Sequence, residues 1–463
     1  MNHHQYLVYL SAGLYYATDS NGAVISSGAD AATVIQNVVN QNPSGIIALG
    51  AGTFNLSTSI KLQNNRSYTF VGSGSNLDSF NTGTILSAGN TVNAKVFEIV
   101  DSGIYNWSTR FVTLEKMRLT APNGYGIHCD FPAHTTNNAG KVSPRFVIRD
   151  VMAYCKFGFL INIPINMHFN NVRGYSEVSG SRFIWLKNTN TGNYHCGNSE
   201  FFGLYAEMNA PDSVGLYLDQ TGGTGWLNEM TFVGVMFLTA DSGGGMAGIW
   251  LNCRGANAGS IALTNFYDTR IEGFTNAILM TARDQSGGGR IFKSCFTNHY
   301  SWSQGGQSGS DVLASGQNSF YDVVIQNANT DGVINLSGVT GTGGTADTPT
   351  FNVLNCKCGG GVNPPAAFTS YNLSGDGVNI KTSFSKTVTA VAGVTAVTHE
   401  LKLGPATAQR LTPNVVQVTP YDSGITSLYV SSQDATNINV VCTPAGRRFT
   451  VNAWYELPRP WLA

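Results

Sequence analysis

SEFFGLYAEM (Ser199 to Met208), NEMTFVGVMFL (Asn228 to Leu238) and TNFYDTRIEG (Thr264 to Gly273) lie within one stretch of the chain, Asn198 to Ala282. In each segment, side chains alternate with the period of a β-strand rather than that of a helix. The alternation turns Leu204, Ala206 and Met208 inward in the first, Val233, Val235 and Phe237 in the second, and Thr269 and Ile271 in the third. Tyr205 and Glu207 then point outward, as do Asp268, Arg270 and Glu272, and so do the apolar Met236 and Leu238. Strands stacked as rungs of a parallel solenoid lie about 4.8 Å apart. Carboxylates distant in sequence then share one outer wall, and the chemistry is expected there.

The composition agrees. The chain has 463 residues, long enough for one very large elongated domain plus a smaller one. Charged residues are 11% of it, against about a quarter in ordinary soluble proteins. Glycine is high at 53, and Asn, Ser and Thr abound, which suits turns and side-chain ladders better than surface helices. A net charge of −1 gives no pull towards nucleic acid or acidic lipid. No apolar run reaches about 18 residues, so no membrane span is expected. Met1 to Leu10 lacks the basic and long apolar regions of a secretion signal. The eight cysteines are dispersed without a CxxC and read as small buried hydrophobes.

Upstream, Asp30 is a plausible N-cap for a helix over about Ala31 to Asn40, with Val34, Ile35, Val38 and Val39 as its apolar stripe. Such a helix placed before the first short strands would cover the end of a β-helix core. From about Arg110 the strand segments recur. Met117, Val151, Val172, Leu204, Val235, Ile271, Cys295, Val323 and Cys356 are expected to form one inward column, with spacings of about 21 to 36 residues. Gly/Pro/Ser-rich stretches at Gly338 to Thr350 and Asn363 to Gly377 mark the loosening of the coils. The expected division is 1–45, N-terminal strands and capping helix; 46–340, parallel β-helix; 341–382, linker or last irregular coils; and 383–463, a C-terminal β-sandwich.

ADAATVIQNVV, IIALGAGTFNLSTSIKL and TFVGSGS, followed by the coil repeats, resemble the pectate-lyase-like right-handed parallel β-helix superfamily. The last part, with TAVTHELKLGPA, NVVQVTPYDSG, SLYVSSQDATNINVV and RRFTVNAWYEL, resembles C-terminal domains of bacteriophage tailspikes and fibres. The resemblance implies an all-β homotrimeric spike on the virion tail that binds and cleaves a bacterial surface polysaccharide, capsule or O-antigen. Other tail or baseplate proteins would meet its N-terminus. A secreted location is the alternative, and no cofactor or metal is implied.

Glycoside hydrolysis needs one carboxyl to donate a proton to the leaving oxygen and one to activate water or attack. Glu207, Asp268 and Glu272 are the catalytic candidates. Tyr175, Tyr205, Trp226, Glu229 and Arg270 are the substrate-binding candidates, the aromatic rings offering apolar faces to sugars. A lyase acting on a uronate would instead use His195 with Tyr194, Arg173 with Tyr175, or His168. A non-catalytic receptor-binding fibre would leave the acids scattered.

Overall fold

The computed structural model describes residues 5–41, 45–74, 83–102, 110–130, 143–189, 195–239, 245–255, 258–283, 288–302, 309–317, 319–340, 351–363, 371–373, 380–381, 383–399, 401–403 and 412–454. The fold is all-β, a parallel β-helix followed by separate antiparallel sheets. Three walls build each coil. Strand Phe111–Cys129 pairs in turn with Tyr68–Gly72, Thr84–Ser87 and Lys95–Val100, so a single strand bends through all three.

Apolar ladders fill the interior. On the first wall the inward ladder runs from Ile47 through Phe70, Leu114 and Ile148 into five phenylalanines, Phe169, Phe201, Phe232, Phe266 and Phe296, and then Ile325 and Val353. These side chains are buried. The second wall carries Ala153, Gly174, Ala206, Phe237 and Ile271 inward, and the third Phe159, Ile184, Leu216, Ile249 and Ile278. Small residues on the second wall make room for large ones opposite: a Cβ at Gly174 would lie 2.3 Å from the Phe183 ring.

The corner from first to second wall is made by residues with positive φ. Asn171 (51°), Gly203 (61°), Gly234 (65°), Asp268 (54°), Asn298 (56°), Asn327 (54°) and Asn355 (52°) recur there, residue types that tolerate the left-handed region. Their side chains form a ladder: Asn298 donates to Asp268 at 3.0 Å, Asn327 to Asn298 at 3.3 Å and Asn355 to Asn327 at 2.8 Å.

That corner residue corrects the expected inward column. Met117, Val151, Val172 and Leu204 do pair in register. Beyond them, the residue after each corner is Val235, Thr269, His299, Ala328 and Cys356, all buried. Ile271 lies two places further, on the second wall, and Val323 belongs to the first. Cys295 is half-buried beside Asn265 and Val324 on the outer side of the first wall. The slip has a physical cause: two inward slots hold a polar pair, Thr269 and His299, hydrogen-bonded at 2.6 Å. Burial pushes the His299 imidazole down to about 3, so it stays neutral in the core. All eight cysteines are free thiols.

Helix Ala31–Asn40 packs on strands Leu14–Asp19, Val24–Gly28 and Ile60–Gln63 with Val34, Ile35, Val38 and Val39 buried. Asp30 caps it, accepting from Ala32 N at 3.3 Å and Thr33 N at 3.0 Å, and also from Ser57 N at 3.2 Å, which ties the cap to the solenoid. Burial raises the Asp30 carboxyl, but the hydrogen bonds from Thr33 and Ser57 outweigh it and bring the pKa to about 2. Asp30→Ala is expected to cost ~1 kcal/mol, read as a lower urea midpoint. The folded pKa lies below the unfolded value of about 3.9. The carboxylate's contribution is therefore whole above that value and lost as pH falls through about 2, so wild type and variant converge in acid.

Parallel pairing continues through Phe351–Leu354, Lys357–Cys358, Val362–Asn363 and Tyr371–Leu373, within the stretch read as last irregular coils. Downstream, Ser383–Thr389, Arg448–Trp454 and Val415–Pro420 form one three-stranded antiparallel sheet. Val394–Thr398, Asn437–Thr443 and Ser427–Gln433 form another. Phe449, Val451 and Ala453 alternate into the core from the first, and Ile438, Val440 and Cys442 from the second.

Candidate functional site

The outer face of the second wall carries two neighbouring columns. One reads Arg173, Tyr205, Met236, Arg270, Tyr300 and the other Tyr175, Glu207, Leu238, Glu272, Trp302, each step an in-register strand pair. Period-two alternation puts both columns outside, because Gly174, Ala206, Phe237, Ile271 and Ser301 between them face the core. Residues from Arg173 to Trp302 thus meet on a patch five rungs tall.

Glu207 and Glu272 lie two rungs apart with Leu238 between them. Two strand spacings set their backbones about 9.5 Å apart. Glu207 accepts a hydrogen bond from the Tyr205 hydroxyl. Burial, then the Glu207 carboxylate, pushes the Tyr205 phenol up to about 12, so it remains a donor at neutral pH. Arg270 Nε donates to Glu272 at 2.6 Å, and this contact raises the guanidinium above its ordinary value. Arg173 lies 5.7 Å over the Tyr205 ring and Arg270 5.8 Å over that of Tyr300. Met236 and Leu238, half-buried, form an apolar step between the two acidic rungs. Tyr300 and Trp302 are 43% and 45% exposed, leaving ring surface for a ligand at one end of the patch.

The structure therefore brings together Glu207, Glu272, Tyr175, Tyr205 and Arg270. Asp268 stands apart on the corner, exposed, four residues before Glu272 in the same coil, and its carboxylate accepts from Asn298. Trp226 and Glu229 lie elsewhere. Strand Trp226–Val233 pairs with His195–Met208 and Ser260–Tyr267 ahead of the first-wall phenylalanines, with Trp226 edge-on to Phe292 at 5.2 Å. Glu229 is exposed at a second positive-φ position, 54°, beside Asn198 and Leu263. Among the lyase candidates, Tyr194 and the His195 side chain lie outside the described residues. His168 is on the first wall, 3.5 Å from Glu200.

Tyr300 was not singled out from sequence, yet a signal exists. After each corner, DTRIE (Asp268 to Glu272) and NHYSW (Asn298 to Trp302) run in phase, placing Tyr300 beside Arg270 and Trp302 beside Glu272.

The third wall also carries aromatic residues outside, Phe157, Trp185, Tyr217 and Trp250, but their chemistry is different. Tyr217 and Trp250 stack on each other at 4.6 Å with 23° between planes, and Trp185 tilts on Tyr217 at 5.7 Å. Their polar atoms are engaged as well: Trp185 Nε1 with Asp219 at 3.1 Å, Trp250 Nε1 with Thr281 at 2.9 Å, the Tyr217 hydroxyl with Asn252 at 2.8 Å, and Lys187 with Asp130 at 2.8 Å. Rings used face to face by one another offer edges to a sugar. This wall is a closed outer layer, and the second wall is the open one.

Fold and site together define a parallel β-helix with a carboxylate-, arginine- and aromatic-bearing outer wall. No family model matches the chain. No curated protein matches it. Among solved structures it is similar to ORF18 of Geobacillus virus E2, at 16% identity over 89% of this chain and 72% of that one, with a TM-score of 0.38. It is also similar to the tailspike protein of Acinetobacter phage vB_ApiP_P1, at 11% identity over 92% and 84%, TM-score 0.41. A third similarity is to the enzymatically active domain of tailspike protein 4 of bacteriophage CBA120, at 12% identity over 97% and 67%, TM-score 0.31. Similarity at this level assigns no residue a role.

Proposed function

We propose that this chain is a phage tailspike glycosidase that lays a bacterial surface polysaccharide along the second wall and hydrolyses it between Glu207 and Glu272. The observation that carries the reading is the pair of columns, which gathers two carboxylates, their donors and two exposed aromatic rings from coils far apart in sequence. Glu272, held by Arg270, acts as the base that activates water. Glu207 enters the step protonated and donates its proton to the leaving oxygen, and the Tyr205 hydroxyl then donates a hydrogen bond to the carboxylate left behind. Arg173, Tyr175, Tyr300 and Trp302 hold sugars above and below the cleavage point. Asp268 serves the corner ladder rather than the reacting bond.

Elimination is the less favoured chemistry, because Tyr205, pushed up to about 12, stays protonated and is not available as a base. Tyr175 too is pushed up to about 12, by its hydrogen bond to Glu177 first and by burial second. We further take the protein to act as a homotrimer on the virion tail, on the strength of its tailspike-like C-terminal sequence; light scattering that gives the mass of a single chain removes that part.

The test is incubation with a panel of capsular and O-antigen polysaccharides, following reducing ends together with ultraviolet absorbance from unsaturated uronate. New reducing ends without absorbance are expected. Absorbance replaces hydrolysis by elimination, and saturable binding with neither signal makes the protein a recognition fibre.

A further inference from the structure

A second site lies where the third wall turns towards the next coil. Strands Ala247–Asn252, Asn276–Thr281, Ser310–Gln317 and Val333–Thr340 end there on successive coils. In-register pairing carries Asn252 to Thr281, Thr281 to Ser315, and Ser315 to Gly338. Two residues beyond these positions stand Arg254, Arg283, Gln317 and Thr340, the last two paired directly. They line an open cleft of about 650 Å³ together with Ser315, Gly316 and Gly338.

The order of side chains is informative. Arg254 and Arg283 come first, each two residues past the paired Asn252 and Thr281 of neighbouring coils, and then an amide and two hydroxyls. Among the described residues lining the cleft there is no carboxylate. Arg283 Nε is buried without a hydrogen-bond partner among the described residues, a costly condition that a ligand acceptor would relieve. The absence of a side chain at Gly338, paired with Ser315 on the outer side, keeps the floor low. Gly316 pairs with the buried Val339, and a Cβ there would point to the core, 2.5 Å from Ser319 Oγ.

A guanidinium fork matches a carboxylate in plane, and neighbouring Gln, Ser and Thr groups suit the hydroxyls of a pyranose. We infer that this cleft binds an acidic sugar residue, its carboxylate held by Arg283 and Arg254 and its hydroxyls by Gln317, Ser315 and Thr340. The choice of a sugar as ligand rests on the proposed polysaccharide function. The cleft is on a different wall from Glu207 and Glu272, so it takes part in holding the chain rather than in cleaving it.

Titration of the full chain with glucuronate, galacturonate, N-acetylneuraminate, their neutral counterparts glucose and galactose, and inorganic phosphate tests this by ligand-observed nuclear magnetic resonance. At least one acid should bind at least tenfold more tightly than the neutral sugars, with affinity falling as salt is added. Arg283→Gln and Arg254→Gln should each weaken it at least tenfold, and Arg283→Lys, which keeps the charge but loses the fork, by an intermediate factor. Arg254 is exposed, so its variant remains informative if Arg283→Gln lowers the melting temperature. The inference is overturned if no acid binds better than the neutral sugars, if both Gln variants retain affinity within twofold, or if phosphate binds as tightly as the acids. Hydrolysis at the second wall can persist through any of these results, so failure here is distinguishable from failure of the glycosidase reading.

Discussion

Glu272→Gln and Glu207→Gln each lower turnover of a cleaved polysaccharide by about 10²- to 10⁴-fold, the range for loss of a positioned acid or base. Melting temperature and solution mass should stay at wild-type values, because both side chains project outward and the isosteric amide can still accept from Arg270 or Tyr205. The two should behave differently with substrate. A leaving group that needs no proton rescues Glu207→Gln but not Glu272→Gln, whereas a small external nucleophile such as azide rescues only Glu272→Gln. Backbones two strand spacings apart, about 9.5 Å, leave room for water between the side chains, as an inverting pair with carboxyl groups about 6.5–9.5 Å apart requires and a retaining pair at about 5–5.5 Å does not. Inversion at the anomeric carbon is therefore expected, observable in the first product formed. Asp268→Asn is the control for the three-carboxylate set expected from sequence. Its amide oxygen can still accept from Asn298, so activity within about tenfold of wild type leaves catalysis to the pair, while a loss as large as that of Glu272→Gln restores Asp268 to the site.

The solenoid and this wall were legible in sequence to different depths. Alternation in SEFFGLYAEM and TNFYDTRIEG placed Tyr205, Glu207, Arg270 and Glu272 outside, and the pairings place all four on the second wall. The capping helix was legible because Asp30 and the stripe of Val34, Ile35, Val38 and Val39 obey local rules. Register across coils was less so. It is set by corner residues such as Gly234, Asp268 and Asn298, each of which interrupts the alternation by one place, and buried Thr269 and His299 made an apolar search pass over the inward slots. Trp226 and Glu229, expected at the substrate, lie between Glu207 and Asp268 in sequence. In a solenoid, however, neighbours along the chain are soon on another wall, and it is residues about a coil apart that touch.

Phe232→Ala is the substitution expected to cost most in stability. Phe232 is the middle of the inward aromatic ladder, parallel to Phe201 at 4.4 Å and to Phe266 at 4.8 Å, each within 9°. A fully buried Phe truncated to Ala costs about 3–5 kcal/mol through lost transfer energy and the cavity left behind. Stacking adds a coupling of about 0.5–1.5 kcal/mol with each neighbour, which a double-mutant cycle with Phe266→Leu should resolve. Each coil of a solenoid leans only on its neighbours, so the damage should be local. The coil that holds Phe232 also holds Met236 and Leu238, the step between the Glu207 and Glu272 rungs. Loosening it changes the spacing of the two carboxylates, and activity should fail at a lower temperature than global unfolding. Hydrogen exchange should show protection lost first over Trp226–Val233 and Met236–Leu238. A denaturation cost below about 1.5 kcal/mol, or loss of protection spread evenly along the chain, contradicts the view that this ladder holds the second wall in register.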